Sequence, residues 1–131
     1  MRHKAILCID DEVIVLESIV EQLERRLGDA FIYETAESAD EGFEVIEELF
    51  DDNIEILVIV SDWLMPGMKG DEFLIRIHQR FPGIVKVLLT GQADSQAIRR
   101  AEKYAGLHAC IHKPWSEEEL IQIIETGLEQ L

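Results

Sequence analysis

Five short apolar runs, separated by stretches of helical period, constrain this chain more than any other feature. Ala5 to Ile9, Phe31 to Thr35, Ile56 to Val60, Val85 to Leu89 and Ala109 to Ile111 read as strands. Between and after them, apolar residues recur every three or four positions. That alternation is the pattern of an α/β domain with a parallel sheet. Most of the runs are too uniformly apolar for a sheet with one wet face, as expected when helices cover both sides. A chain of 131 residues, 47% of them hydrophobic, has the size for one packed core. A single domain over residues 1–131, with one site, is therefore expected.

The helices are marked as clearly. Val13, Leu16, Val20, Leu23 and Leu27 lie three or four apart and form one stripe, after which Gly28 suits a helix stop. Ser38 with Glu41, and Ser116 with Glu119, are capping-box pairs. The first pair opens a helix expected to bury Ala39, Phe43, Ile46 and Phe50. The second opens a last helix with Leu120, Ile124, Leu128 and Leu131 on one side. Two further helices are predicted, over Asp71 to Arg80 with Phe73 and Ile77 inward, and from Asp94 to Tyr104. No linker, repeat or low-complexity tract interrupts the pattern.

The formal net charge of −15 opposes direct nucleic-acid binding, because the field would repel a polyanion. Protein partners are expected instead. The apolar stretch Ala5 to Ile9 is too short for a signal peptide, and no run approaches the roughly 20 apolar residues that cross a bilayer. A cytoplasmic location without membrane contact is the default expectation. Cys8 and Cys110 each lie within an apolar run, without zinc spacing, and are expected to be buried. His3, His78, His108 and His112 show no pairing on one helix face.

In an open parallel sheet, ligands bind beyond the carboxyl ends of the strands. The first strand ends in Asp10 and Asp11, the third in Asp62 and the fourth in Thr90, while the fifth leads into Lys113 and Pro114. Three carboxylates at one crevice repel one another and raise a pKa unless a cation sits among them. Hard oxygen ligands with room for waters suit Mg2+, or Mn2+. A carboxylate also attacks phosphorus to give an acyl phosphate when the phosphoryl oxygens are neutralised, here by the metal, Thr90 and Lys113. Each residue alone has a bland role: the acids as helix caps or turn residues, Thr90 as a strand-end hydroxyl, Lys113 as a solvated loop lysine. Their coincidence at matching strand ends favours a site. Trp63 and Trp115, which flank it, are expected to seal core edges.

The ordered set Ile9-Asp10-Asp11, Ser61-Asp62-Trp63-Leu64-Met65-Pro66-Gly67-Met68, Leu89-Thr90-Gly91 and Lys113-Pro114-Trp115 resembles the receiver domains of two-component response regulators, the CheY-like superfamily, over essentially the whole chain. The resemblance implies a doubly wound, flavodoxin-like α/β fold: a five-stranded parallel sheet of order 2-1-3-4-5 flanked by five helices. It assigns Asp62 as phosphoacceptor, Asp10 and Asp11 as metal-site acids, and the main-chain carbonyl of Leu64 as a further ligand. Thr90 and Lys113 would contact the phosphoryl group, and the Lys113–Pro114 peptide would be cis. The implied donor is a sensor histidine kinase, a histidine phosphotransfer protein or a small acyl phosphate. The implied recipient of the signal is an effector domain or protein. Thr90 and its loop would move inward on phosphorylation.

Cys110 departs from the pattern, standing three residues before the lysine where many members carry Tyr or Phe. No rotating aromatic is available there. Leu64 and Gln92 occupy the positions where the family varies its hydrolysis rate. Residues 89–94 with 113–115 are similar to receivers joined to cyclic-dinucleotide phosphodiesterase or sensor-kinase modules. Two other readings compete. A haloacid-dehalogenase-type phosphatase also uses an Asp nucleophile, but the acids here are adjacent and no cap insertion is present. A receiver-shaped module that is never phosphorylated would usually lack one of the site residues. Finally, Arg76, Arg80, Lys86, Arg99, Arg100, Lys103 and Lys113 face only Asp94 and Glu102 within their stretch of chain, whereas the last helix carries Glu117, Glu118 and Glu125. Phosphorylation-favoured self-association, or effector docking, through helix four, strand five and helix five is expected from that charge division.

Overall fold

A strand buried on both faces sends alternate side chains to opposite sides, and the computed structural model, which describes residues 3–91 and 95–131, resolves these into two apolar layers. The strands are β1 (Lys4–Ile9), β2 (Ile32–Ala36), β3 (Glu55–Asp62), β4 (Val85–Thr90) and β5 (Ala109–His112). The helices are α1 (Val13–Leu27), α2 (Ala39–Asp51), α3 (Gly70–Arg80), α4 (Ser95–Ala105) and α5 (Glu117–Glu129). The strands form one sheet in the order β2-β1-β3-β4-β5, and every pairing is parallel. This is the doubly wound, flavodoxin-like arrangement expected above.

Leu7, Ile9, Ile59 and Leu88 face one side, where α2, α3 and α4 cover them with Ala39, Ile46, Phe73, Leu74, Ile77, Ala97 and Ala101. Ile6, Cys8, Val58, Val60, Val87 and Leu89 face the other, under Leu16, Ile19 and Leu23 of α1 and Leu120, Ile121 and Ile124 of α5. Full burial of one such large aliphatic or aromatic side chain is worth about 1.5–3 kcal/mol. Both layers therefore contribute to holding the sheet that carries the strand ends. The caps behave as expected: Ser38 Oγ accepts the Glu41 N–H at 3.1 Å, and Ser116 Oγ accepts that of Glu119 at 3.1 Å. The Glu41 carboxylate reaches back to the N–H of Glu37.

Some side chains depart from their expected places. Phe50 is 63% exposed while Leu49 is buried. Both lie one turn from the buried Ile46, and Phe50 stands beside Phe81 with ring centroids 6.2 Å apart. Val13, the first residue of α1, and Leu131, two residues past the end of α5, are exposed. Val20, Leu27 and Leu128 are only half-buried, and Ile19 takes the central place in the α1 stripe. β2 is half-buried because it is an edge strand. Cys8 is buried, whereas Cys110, on the opposite edge, is half-buried. The predicted start of helix four at Asp94 lies outside the described residues; from Ser95 onward the helix is present.

Candidate acid site at the strand ends

The register sets the site. Ile9 pairs with Ser61, Asp62 with Leu89, and Thr90 with His112, so the carboxyl ends of β1, β3, β4 and β5 lie together at one end of the sheet. Asp10, Asp11 and Asp62 each offer a carboxylate oxygen, and these oxygens all lie within 4.8 Å of one another. Asp10 is fully buried, Asp62 nearly so, and Asp11 is exposed.

Lys113 crosses to the acids from beyond β5. Its Nζ donates to Asp10 Oδ2 at 2.9 Å and lies 3.1 Å from Asp62 Oδ1. The other oxygen of Asp10 accepts the Glu12 N–H at 2.9 Å, so Asp10 also steadies the entry to α1. The Lys113 N–H donates to the Thr90 carbonyl at 2.8 Å, which ties β4 to the lysine. Lys113–Pro114 is cis, as the resemblance implied. Thr90 is buried; Leu64, just past Asp62, is half-exposed.

Burial, then the neighbouring Asp10 charge, push the Asp62 carboxyl up to about 6, against the opposing pull of Lys113. At neutral pH it remains mostly ionised. Burial works to lower the Lys113 ammonium, but its hydrogen bonds to Asp10 and Asp62 outweigh that and raise it. One cation thus stands against three acids. The donor set is all hard oxygen with a residual negative charge, which fits a small divalent cation.

Trp63 and Trp115 do seal edges: Trp63 is buried and donates from Nε1 to Asp71 Oδ1 at 3.1 Å, and Trp115 donates to Gln22 Oε1 at 2.8 Å. Asp71, expected from the sequence only to begin a helix, is a buried acid in the first turn of α3. Its Oδ2 accepts from Arg100 Nη1 at 2.7 Å. Gln92 lies outside the described residues. The acidic start of α5 is engaged within the chain, because Arg25 and Arg26 of α1 pair with Glu117 and Glu118. Arg100 is likewise engaged, with Asp71 and Glu72. The charges expected to face outward are in part internal bridges.

The profile of the response regulator receiver domain matches residues 6–125. The chain belongs to that family. It is 32% identical over 127 residues to the chemotaxis protein CheY of Pseudomonas aeruginosa, covering 95% of this chain and 97% of that one. It is 31% identical over 128 residues to the hydrogenase transcriptional regulatory protein HoxA of Cupriavidus necator, covering 98% of this chain but 25% of HoxA. The chain thus spans about a quarter of that relative's length. Among solved structures, it superposes on the signal receiver domain of an HD domain-containing protein from Pseudomonas fluorescens Pf-5 with a TM-score of 0.86 and 25% identity, over 99% of this receiver and 90% of the other. Receivers of two-component systems are signalling proteins rather than classical enzymes, and the fold and site described here are consistent with phosphorylation-dependent switching. Among the described residues, no helix is long and apolar enough to cross a membrane.

Proposed function

We propose that this receiver, one domain over residues 1–131, accepts a phosphoryl group on Asp62 from a histidine kinase or a histidine phosphotransfer protein, and that acetyl phosphate substitutes for them. The observation that carries the reading is the buried Asp10–Lys113–Asp62 bridge, a cation held between two of three clustered acids at the strand ends. An Asp62 carboxylate oxygen attacks phosphorus; the bond from phosphorus to the donor nitrogen or oxygen breaks, and the leaving group keeps the electron pair. Lys113, already 3.1 Å from Asp62, compensates the added phosphoryl charge, and the Thr90 hydroxyl is assigned to contact the same group. Water attack at phosphorus later releases phosphate and restores the carboxylate, so the chain promotes only its own phosphorylation and dephosphorylation.

Asp10, Asp11 and Asp62, with the Leu64 carbonyl, are the residues that would hold Mg2+, or Mn2+. Once bound, the ion would neutralise charge on the phosphoryl oxygens. The chain's cytoplasmic location and its coupling to an effector domain or protein belong to this same proposal. Self-association through α4, β5 and α5 is retained on Arg99 and Lys103, both exposed on α4.

Acetyl phosphate with Mg2+ should add the mass of one phosphoryl group, and peptide mapping should place it on Asp62. Asp62→Asn should abolish the addition with an unchanged circular dichroism spectrum. Addition persisting in that variant would assign the nucleophile elsewhere.

A further inference from the structure

Between Asp62 and Leu64 stands Trp63, and it is fastened at three points. Its N–H donates to the Leu89 carbonyl of β4 at 2.8 Å, and its carbonyl accepts the Gly70 N–H at 2.8 Å. The third point is its indole N–H on Asp71 Oδ1 at 3.1 Å. The two backbone bonds hold the path of the chain, and the indole bond holds the ring, which Lys69 Nζ also covers at 5.0 Å from the centroid.

Asp71 is a nearly buried carboxylate and must be compensated to remain in place. Arg100, from α4, supplies that compensation at 2.7 Å and reaches Glu72 Oε2 at 3.3 Å with its other nitrogen. α4 lies close enough to do so because its inward residues are Ala97, Ala101 and Ala105, all buried in the layer that also holds Phe73, Leu74 and Ile77. An acid that only balanced the first-turn dipole of α3 would be solvated and would not bridge an indole to a guanidinium.

We propose that Asp71, held by Arg100, is a positioning residue for the acid site: it fixes the Trp63 turn that presents Asp62 and the Leu64 carbonyl, and it makes that turn answer to α4. The metal-site part of this inference rests on the function proposed above. Withdrawal of α4 removes Arg100 and leaves Asp71 buried without its cation, which loosens the Trp63 anchor. By reciprocity, whatever tightens the turn favours α4 in its docked place.

The Trp63 indole N–H resonance in the metal-free protein, identified by its loss in Trp63→Phe, reads the joint directly. Calorimetric Mg2+ binding reads its effect on the site. Arg100→Met should shift that resonance, speed its exchange with solvent, and weaken Mg2+ binding by roughly tenfold, the lower end for loss of a group that orients metal ligands. Arg100→Lys should restore most of both signals, whereas Glu72→Gln should leave both unmoved. Adding Asp71→Asn to Arg100→Met should weaken Mg2+ no further than the more severe single change, because the two residues act as a unit. An Arg100→Met protein that melts earlier yet keeps the wild-type indole resonance would overturn the proposal, since Arg100 would then only hold α4. Should Asp71→Asn fail to fold, Arg100→Met alone decides. A wild-type protein that takes no phosphoryl group on Asp62 would instead count against the proposed function, while the metal-free indole measurement would still judge the joint.

Discussion

Lys86 enters the core from the middle of an apolar strand, 1% exposed. Its amine reaches only His78 Nδ1 at 2.8 Å and the Pro82 carbonyl at 3.3 Å, with no carboxylate paired to it among the described residues. Burial lowers its pKa from 10.5 to about 8. Burial, and then the Lys86 charge, lower the His78 imidazole as well. Because the folded pKa lies below the unfolded one, the unfolded chain binds more protons between pH 8 and 10.5. The contribution of Lys86 to stability therefore rises with pH across that window. Lys86→Met keeps the apolar stem and removes the charge. Below pH 8 it should be the more stable protein, by about 3 kcal/mol, and the gap should close as pH approaches 10.5; urea unfolding at a series of pH values measures it. A variant less stable than wild type at pH 7 would refute the cost assigned to this charge. Neither Lys86 nor Asp71 was legible as special in the sequence. A lysine within Val85–Leu89 shows only that a charge sits in a strand, and an acid at a helix start looks like any first-turn carboxylate. Their partners lie in other elements, which spacing along the chain does not reveal. Asp10, Asp11, Asp62, Thr90 and Lys113 were legible because each stands at the end of a recognisable strand or just past it.

The elements themselves were readable because a strand buried on both faces is a continuous apolar run and each capping box marks a helix start. Helix faces were harder. Ile46 has Leu49 three residues on and Phe50 four residues on, and either would continue an apolar stripe. Of the two, Leu49 takes the inner place, and Phe50 stays largely exposed beside Phe81. The junction of β3 with α3 was also hidden. A Cβ added to Gly70 would fall 2.0 Å from the Asp62 carbonyl oxygen and 3.0 Å from Trp63 Cα. These are backbone contacts with no flexible side chain to yield. Gly70→Ala should therefore cost about 3 kcal/mol, the upper range for an overpacked site, and should lower acetyl phosphate labelling of the molecules that remain folded. Unchanged melting and labelling would mean that the helix start shifts without disturbing Asp62.

At the scale of the whole molecule, a net charge of −15 keeps copies apart unless a local region is less negative, and α4 with its exposed Arg99 and Lys103 is such a region. Exposed pairs contribute only about 0 to 1 kcal/mol each, so any self-association through this face should be salt-sensitive. Sedimentation of the beryllofluoride-treated protein should show a dimer that Arg99→Glu with Lys103→Glu disperses. Equal monomer behaviour of both proteins would leave docking to a separate effector as the use of this face. The strand order has a consequence for synthesis. β1 is made first, yet it lies between β2 and β3, so its second edge stays open until Glu55–Asp62 has left the ribosome. Sequence-distant pairings of this kind form slowly. During that interval the most apolar strand of the nascent chain has one unpaired side, and premature pairing with another chain is the hazard that cellular holdases would have to prevent.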